Sequence, residues 1–430
     1  MRKISEKKIA AAIEELNKVR KNWMKRPGVT ACDVGYKIKD DKITNDLAIR
    51  VHVKRKVDPR AISEYEVFST SENPQSLGEF PIDVIEAEYA PEQQFEVVAA
   101  EAVDRKGTVS PLIGGISVGN PKVTAGTLGA VVYDENDGKA CMLSNWHILC
   151  GSAPCSIGES IYQPGVYDGG TASDTVATLK RWKLNSDMDA AIAEFNGVRS
   201  FTRDILGLSP TTGYTNPTMG MEVVKSGRTT GVTEGVIDGV SASLTLSYSG
   251  VGNVTFYNQI HVVPRPPWPA VNYEVSSGGD SGSVWIEESS GKAVGLHFAG
   301  ETSPAISSEH AIASPIPKVV QELKFSFLPL FCNTQVCFPE MLCIPEMICY
   351  PEMMHICIPE LICIKEDLCI KLPCLALITD LCKSEMVINP GTGFPDGDPL
   401  IVIDPSRLPV SIRRPFRMML MEIQKLQNQG

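Results

Sequence analysis

Apolar positions recur with different periods along this chain, and the changes of period divide it. Over residues 5–24, Ile9, Ile13, Leu16 and Trp23 fall at near-helical spacing among Lys and Glu, which predicts an amphipathic helix ended by Arg26-Pro27-Gly28. Two β-type runs follow, Val29 to Ile38 and Leu47 to Val53, joined through Asp40-Asp41, with a third from Phe80 to Glu86. Residues 1–27 are therefore expected to form an N-terminal helix and residues 28–106 a small α+β domain with a regulatory or docking role. A polar, Pro-containing boundary lies between Tyr89 and Gly107.

From Gly107 the texture changes to short β-rich runs separated by turn residues, as in Ala125-Gly126-Thr127-Leu128-Gly129, Asp137-Gly138 and Ser249-Gly250. Frequent turns between short strands across 107–326 favour a mainly β architecture, a sandwich or barrel, closed by a helix over Pro317 to Leu323. Beyond Phe327 a six-residue repeat begins: Cys337-Phe-Pro-Glu-Met-Leu, Cys343-Ile-Pro-Glu-Met-Ile, Cys349-Tyr-Pro-Glu-Met-Met, Cys357-Ile-Pro-Glu-Leu-Ile, Cys363-Ile-Lys-Glu-Asp-Leu. Proline at every sixth position forbids a continuous helix, and an even period presents the same face from each repeat when extended. Residues 327–385 are thus expected to stack as a solenoid-like β extension. Residues 386–430 read as a Gly/Pro/Asp loop and a basic amphipathic helix from Pro415 to Asn428.

Composition narrows the function. With 43% hydrophobic and 21% charged residues the chain is of globular type, and a net charge of −11 argues against binding driven by nucleic-acid phosphates. No run reaches the roughly 18 to 20 apolar, charge-free residues that a helical membrane span needs. Met1 to Lys25 carries charges throughout and has no apolar core of a secretory signal, so the expected location is cytoplasmic. Of thirteen cysteines, nine lie between Cys332 and Cys382; Cys32, Cys141, Cys150 and Cys155 are scattered. In a reducing compartment these are expected as small buried thiols rather than disulfides or ligands.

The candidate chemistry lies in the β-rich segment. Ser276-Ser277-Gly278-Gly279-Asp280-Ser281-Gly282-Ser283 places a serine in a glycine-flanked turn, where backbone amides approach a substrate oxygen closely; a plain glycine-rich turn is the alternative. A nucleophilic serine needs a base. Only His52, His147 and His261 precede Ser281, and His147 lies where an apolar strand, Met142-Leu143-Ser144, gives way to Asn145-Trp146-His147. Asp187-Met188-Asp189-Ala190-Ala191-Ile192 offers a carboxylate at the start of a buried strand. Asp187 is the fallback for Asp189.

In this order, His147, Asp189 and Ser281, 42 and 92 residues apart, the chain resembles the chymotrypsin-like serine proteases. Leu143-Ser144-Asn145-Trp146-His147, Asp189-Ala190-Ala191 and Gly279-Asp280-Ser281-Gly282 resemble that family's three catalytic segments. Lys225-Ser226-Gly227-Arg228-Thr229-Thr230-Gly231 is similar to a strand-turn-strand of its bacterial branch, and Val294-Gly295-Leu296-His297-Phe298-Ala299-Gly300 to the strand lining the specificity pocket. The resemblance covers residues 107–326. It implies two six-stranded antiparallel barrels, a serine endopeptidase acting on protein or peptide substrates, an oxyanion hole from the amides of Gly279 and Ser281, and neither metal nor cofactor. Val275 would sit at the pocket base and His297 in its wall, where glutamyl endopeptidases use a histidine against an acidic side chain. The histidine-following cysteine of many members is absent, Cys150 lying three residues on. Pro111-Leu112-Ile113-Gly114-Gly115 is faintly like an activation N-terminus, but reads better as the beginning of a strand.

Two expectations concern the remainder. The repeats are expected to serve self-association or partner binding through residues 330–385, zinc being disfavoured by Cys-x5-Cys spacing. The competing function is a catalytically silent protease-fold scaffold that binds a partner recruited by the repeats.

Overall fold

The structure, a computed structural model, describes residues 4–39, 42–54, 76–91, 104–265, 274–301, 309–329, 361–365, 368–371, 387–389 and 400–402. The chain divides into two units, 1–328 and 329–430.

The first unit opens with the helix Glu6–Trp23. Ser5 caps it, its Oγ accepting the Lys8 N–H at 3.4 Å, and Glu6 in the first turn complements the helix dipole. Its buried face, Ala12, Leu16, Arg20 and Trp23, follows the expected helical spacing. Leu16 and Trp23 pack on Cys32, Val34, Tyr36, Ile49 and Val51 of the hairpin Val29–Lys39 and Lys42–Val53. Full burial of one such leucine contributes about 1.5–3 kcal/mol. The second hairpin strand starts earlier than its apolar run suggests. Cross-strand pairing continues through Ile38↔Ile43 and Lys39↔Lys42, so the ladder carries polar residues that pattern alone leaves out.

These N-terminal strands do not stand apart. Val29–Lys39 pairs antiparallel with Gly231–Tyr248, in register Ala31↔Leu244 and Gly35↔Gly239, and Tyr89–Pro91 pairs with the end of Ala293–Glu301. One eleven-stranded sheet therefore contains both the N-terminal strands and those of residues 222–315. Within the latter, Glu222–Gly227, Val284–Glu287, Ala293–Glu301, Ala311–Pro315, Gly252–Pro264 and Gly231–Tyr248 follow one another, and Glu222–Gly227 pairs with Gly231–Tyr248 as well. A second sheet of six strands, in the order Ser160–Tyr162, Thr175–Leu184, Asp189–Phe195, Ala140–Ser144, Ala130–Asp134, Phe325–Ser326, gathers strands from 130 to 195 and adds the late strand Phe325–Ser326 at one edge. The helix Ile316–Leu323 buries Ile316, Val319, Val320 and Leu323 beside it. The chain is thus mainly β, as expected.

The junction of the N-terminal strands with the larger sheet is polar. The Arg50 guanidinium lies fully buried between the carboxylates of Asp33 and Asp238, ion-paired with both. Facing glycines make room for it: a Cβ on Gly35 would lie 2.2 Å from Arg50 Cζ, and one on Gly239 2.1 Å from Arg50 Nη2. His52, His261, His310 and Tyr89 surround the group, with Tyr89 OH 2.7 Å from His52 Nδ1 and His261 Nδ1 on Asp33. Ligand-type atoms of Asp33, His52 and His261 lie within 4.8 Å of one another. Arg50 already engages both Asp33 oxygens, however, and supplies the positive charge a metal ion would bring.

One expectation is overturned here. Cys150 and Cys155, read as separate thiols, form a disulfide, whereas Cys32 and Cys141 are free and buried. The turn Gly151-Ser152-Ala153-Pro154, with Gly151 at φ +78°, brings the two Cα atoms to 5.5 Å, within bridging distance. Leu112–Gly114 is a strand, parallel to Phe201–Ile205, as the pattern at Pro111 to Gly115 suggested.

In the second unit, Leu361–Lys365 pairs antiparallel with Leu368–Lys371, placing Cys363 opposite Cys369, and Val387–Asn389 pairs with Leu400–Val402. The repeats from Cys337 to Cys357 and the helix expected over 415–428 lie outside the described residues. Among those described, no helix is long and apolar enough to cross a membrane.

Candidate active site

The strand Ala140–Ser144 ends at Asn145, whose extended backbone starts the one-turn helix Trp146–Leu149 and so turns His147 off the sheet. The neighbouring strand Asp189–Phe195 pairs with it in register, Ser144 opposite Ala191, which sets Asp189 beside His147. Asn145 Nδ2 donates to the Asp189 carbonyl at 2.8 Å and fixes this corner. The Asp189 carboxylate, wholly buried, accepts the His147 N–H on Oδ1 at 3.2 Å and faces His147 Nδ1 with Oδ2 at 2.5 Å. That arrangement orients the imidazole and leaves Nε2 on the side of the ring away from Asp189. Nε2 is buried and makes no hydrogen bond within the described residues. Asp187 is half-buried, its amide donating to Asn185 Oδ1 and its carbonyl accepting from Gln259 Nε2.

Ser281 sits between two left-handed glycines, Gly279 at φ +100° and Gly282 at φ +98°. Neither tolerates a side chain. A Cβ on Gly279 would approach Thr229 Oγ1 to 2.5 Å, and one on Gly282 Ser144 Oγ to 2.1 Å and the Thr127 carbonyl to 2.4 Å. The loop is stapled to the His147 side of the site: Thr127 N donates to the Ser281 carbonyl (2.8 Å), Thr127 Oγ1 to the Gly279 carbonyl (2.8 Å), and Ser144 Oγ to the Thr127 carbonyl (2.8 Å). Ser281 Oγ donates to the Phe298 carbonyl at 3.3 Å. His147 is 1% exposed and Ser281 0%.

The residue before Ser281 is the most heavily bonded carboxylate of the site. Asp280 Oδ1 accepts the amides of Thr229 (2.8 Å) and Thr230 (3.1 Å); Oδ2 accepts Lys225 Nζ (2.8 Å), Thr230 Oγ1 (2.5 Å) and the Ser277 amide (3.1 Å). Burial opposes its ionisation, but the Lys225 charge and these hydrogen bonds prevail and pull its pKa down to about 2. A Cβ on Gly227 would lie 2.2 Å from Asp280 Oδ1, which accounts for the glycine in Lys225-Ser226-Gly227-Arg228-Thr229-Thr230. Arg228 is used elsewhere, paired with Asp168.

Of the two residues expected to line a pocket, Val275 is buried among Val223, Ile237, Trp285 and Val294, its amide donating to Glu309 Oε1 at 2.9 Å. His297 is buried in the strand Ala293–Glu301, its amide on the Ser283 carbonyl and its carbonyl accepting the Gly282 amide, both at 2.9 Å. Its ring meets Trp285 edge-on, with centroids 6.3 Å apart. Past Phe298 this strand carries Tyr89–Pro91, paired at Ala299↔Pro91 and Glu301↔Tyr89. Motif spacing did not reveal Lys225 as the partner of Asp280, nor Tyr248, whose hydroxyl donates to Asp189 Oδ2 at 2.8 Å across 59 residues of sequence. Both are conformational neighbours that only the long hairpin and its sheet bring together.

No family model and no curated protein sequence matches this chain. Its neighbours among solved structures are chymotrypsin/trypsin-like serine proteases. A glutamic acid specific serine protease described as utilizing a novel histidine triad in substrate binding is similar at 20% identity and TM-score 0.38, over 50% of this chain and 99% of that one. Thermobifida fusca protease A is similar at 20% identity and TM-score 0.37, over 50% and 96%, and Nocardiopsis protease at 19% and 0.36, over 50% and 97%.

Proposed function

We propose that the chain is a serine endopeptidase in which Ser281 is the nucleophile, His147 the base and Asp189 its orienting carboxylate. The observation that carries this reading is the Asp189–His147 pair, which leaves a buried Nε2 without a hydrogen bond among the described residues, while the glycine-flanked serine loop is bonded to Thr127, itself held by Ser144 three residues before His147. In this reading Ser281 Oγ attacks a peptide carbonyl carbon while its proton passes to His147 Nε2. The oxyanion is met by the amides of Gly279 and Ser281. Collapse breaks the C–N bond as His147 returns the proton to the leaving amine. Water, deprotonated by His147, then attacks the ester carbon, and Ser281 leaves with the proton that His147 gives back. No metal or cofactor enters any step.

The same reading treats residues 107–326 as two six-stranded barrels, Val275 and His297 as parts of the specificity pocket, and the segment 28–106 as a regulator that stays attached. His297 beside the nucleophile loop favours an acidic substrate side chain; cleavage of a peptide library after Leu or Ala but never after Glu overturns that. Residues 330–385 are proposed to mediate self-association, which a monomeric mass across a wide concentration range removes.

Intact mass after fluorophosphonate treatment tests the main reading. A single adduct on the full chain, abolished by Ser281→Ala and by His147→Ala, is the expected result. No adduct on the folded chain at any pH favours the second reading, a catalytically silent scaffold, for which the near-complete burial of Ser281 and His147 speaks.

A further inference from the structure

Asp189 has a third ligand that the triad does not supply. A buried carboxylate offers about four lone-pair directions, and leaving its acceptors unmet there is costly. His147 fills two of them through its amide and Nδ1. Tyr248 OH fills another, reaching Oδ2 at 2.8 Å from a residue that is 4% exposed. Its ring lies 6.1 Å from the His147 ring and 6.0 Å from Trp146, both edge-on, and rests on Phe256 at 5.8 Å. The hydroxyl therefore meets the same oxygen as the imidazole and limits rotation of the carboxylate away from Nδ1.

Tyr248 arrives there by an unusual route. It is the last residue of Gly231–Tyr248, at the tip of the long hairpin that Gly252–Pro264 completes. That hairpin belongs to the larger sheet, whereas Asp189 opens a strand of the six-stranded one and His147 follows directly on another, Ala140–Ser144. Three further bonds hold the hairpin across, one at its tip and two along its returning strand: Ala153 N to the Ser249 carbonyl (3.4 Å), Tyr257 N to the Ser186 carbonyl (2.8 Å) and Gln259 Nε2 to the Asp187 carbonyl (2.9 Å). The bonds from Tyr257 and Gln259 grip the turn that leads into Asp189, and that from Ala153 ties in the disulfide loop that follows His147.

Resting on the reading of His147 and Asp189 as base and orienting carboxylate, we propose that Tyr248 is a positioning residue: it acts through Asp189, fixing the carboxylate against His147, and the hairpin Gly231–Pro264 exists in part to deliver it. Burial, and after it the Asp189 charge, push the Tyr248 pKa well above its ordinary value, so the hydroxyl stays a donor at every working pH. Removing it concentrates negative charge on Asp189, makes His147 more basic, and shifts the acidic limb of the pH–rate profile upward.

The test uses the full chain with Tyr248→Phe, with 3-fluorotyrosine placed at 248 by nonsense suppression, and with Phe256→Leu as a packing control. Two readouts are taken: the rate of fluorophosphonate labelling against pH, and the downfield proton resonance of His147 Nδ1–H, which needs no activity. Tyr248→Phe is expected to label about tenfold more slowly at pH 7, to move the acidic limb up by about one pH unit, and to displace the resonance. 3-Fluorotyrosine, a stronger donor that preserves packing, moves limb and resonance the other way, and answers the question even where Tyr248→Phe fails to fold. Phe256→Leu lowers the unfolding temperature and moves neither. A resonance that stays in place in both Tyr248 variants overturns the proposal. A displaced resonance in a chain that never labels keeps the Tyr248–Asp189 link and overturns the protease reading instead.

Discussion

Lys225 Nζ and Asp280 Oδ2 face one another at 2.8 Å with both side chains wholly out of solvent. The ammonium also meets Thr230 Oγ1 at 2.8 Å and lies over the Trp285 ring, 5.5 Å from its centroid. Removing the cation leaves a buried carboxylate, immediately before Ser281, with its charge unmatched. Lys225→Met is expected to cost about 3–5 kcal/mol of stability and to abolish labelling of Ser281. Combining it with Asp280→Asn should return most of the stability, since the orphan charge is gone, but not the labelling. Thermal unfolding and intact mass on the three variants decide this; a single mutant as stable as the wild type would refute it.

The glycine-flanked Ser281 loop makes a second, steric prediction. Gly282 combines φ +98° with a virtual Cβ that would lie 2.1 Å from Ser144 Oγ and 2.4 Å from the Thr127 carbonyl. Gly282→Ala therefore meets both backbone strain and a clash with main chain, and should destabilise by about 2 kcal/mol or more. By contrast Gly158, also left-handed at φ +89° but with nothing within 4 Å, should cost only the conformational part, about 1 kcal/mol, on substitution by Ala. Equal unfolding midpoints for the two variants would show that packing against Ser144 does not matter.

Acidification should loosen the buried cluster around Arg50. Burial lowers the pKa of His52 to about 3 and also depresses that of His261, with contacts to Asp33 opposing in both. The folded chain thus keeps both imidazoles neutral, whereas the unfolded chain protonates them near 6.5. Their contribution is full above that value and is lost as pH falls through it, at about 1.4 kcal/mol per histidine for each pH unit. Asp33 and Asp238 act later: Arg50 and the neighbouring histidines hold both below the carboxylate range despite burial, so their contribution fades only as pH falls below about 4. Unfolding midpoints should drop from pH 7 to pH 5, and His52→Gln should flatten the slope. A midpoint constant over that interval contradicts the assignment.

Arg20 connects the N-terminal helix to the long hairpin. Nη2 donates to Ser241 Oγ at 2.6 Å and Nη1 to Asn258 Oδ1 at 3.2 Å. Those two residues face each other where the hairpin ladder slips, at φ +58° and φ +60°, conformations costly for residues other than glycine. Arg20→Met keeps the aliphatic stem and removes the clamp. It should cost about 1–3 kcal/mol and slow labelling of Ser281, because the hairpin also carries Tyr248. Slower labelling at unchanged stability would be the sharper outcome; neither change would sever the link between the N-terminal helix and the site.

How far the sequence discloses this arrangement depends on how local each cause is. The helix Glu6–Trp23 follows from its own apolar spacing, and the meeting of His147 with Asp189 from two adjacent strands whose apolar runs are plain in the sequence. Lys225–Asp280 and Tyr248–Asp189 are not legible in this way. They span 55 and 59 residues, and depend on sheet register and on a hairpin tip that has no composition of its own. The merging of the N-terminal strands with the larger sheet is less legible still. Its register, Ala31 against Leu244, joins apolar alternations that would suit a free-standing α+β fold equally well. The disulfide escaped because a charged N-terminus suggested a reducing compartment, while bridging depends on the turn at Gly151.

A shared ladder has a consequence for how this molecule can be dissected. Excising residues 1–103 would strip the partner from Gly231–Tyr248 along Gly239, Val240, Ser243 and Leu244, and from Ala293–Glu301 at its end. Both would become raw sheet margins with unmet amides and carbonyls, flanked by apolar side chains such as Leu244, Leu246 and Phe298, which share one core cluster with Ala31, Ile85 and Tyr89. Such a fragment is a template for its own kind, and its expected fate is colloidal: it should sediment as aggregate at concentrations where the full chain stays dispersed.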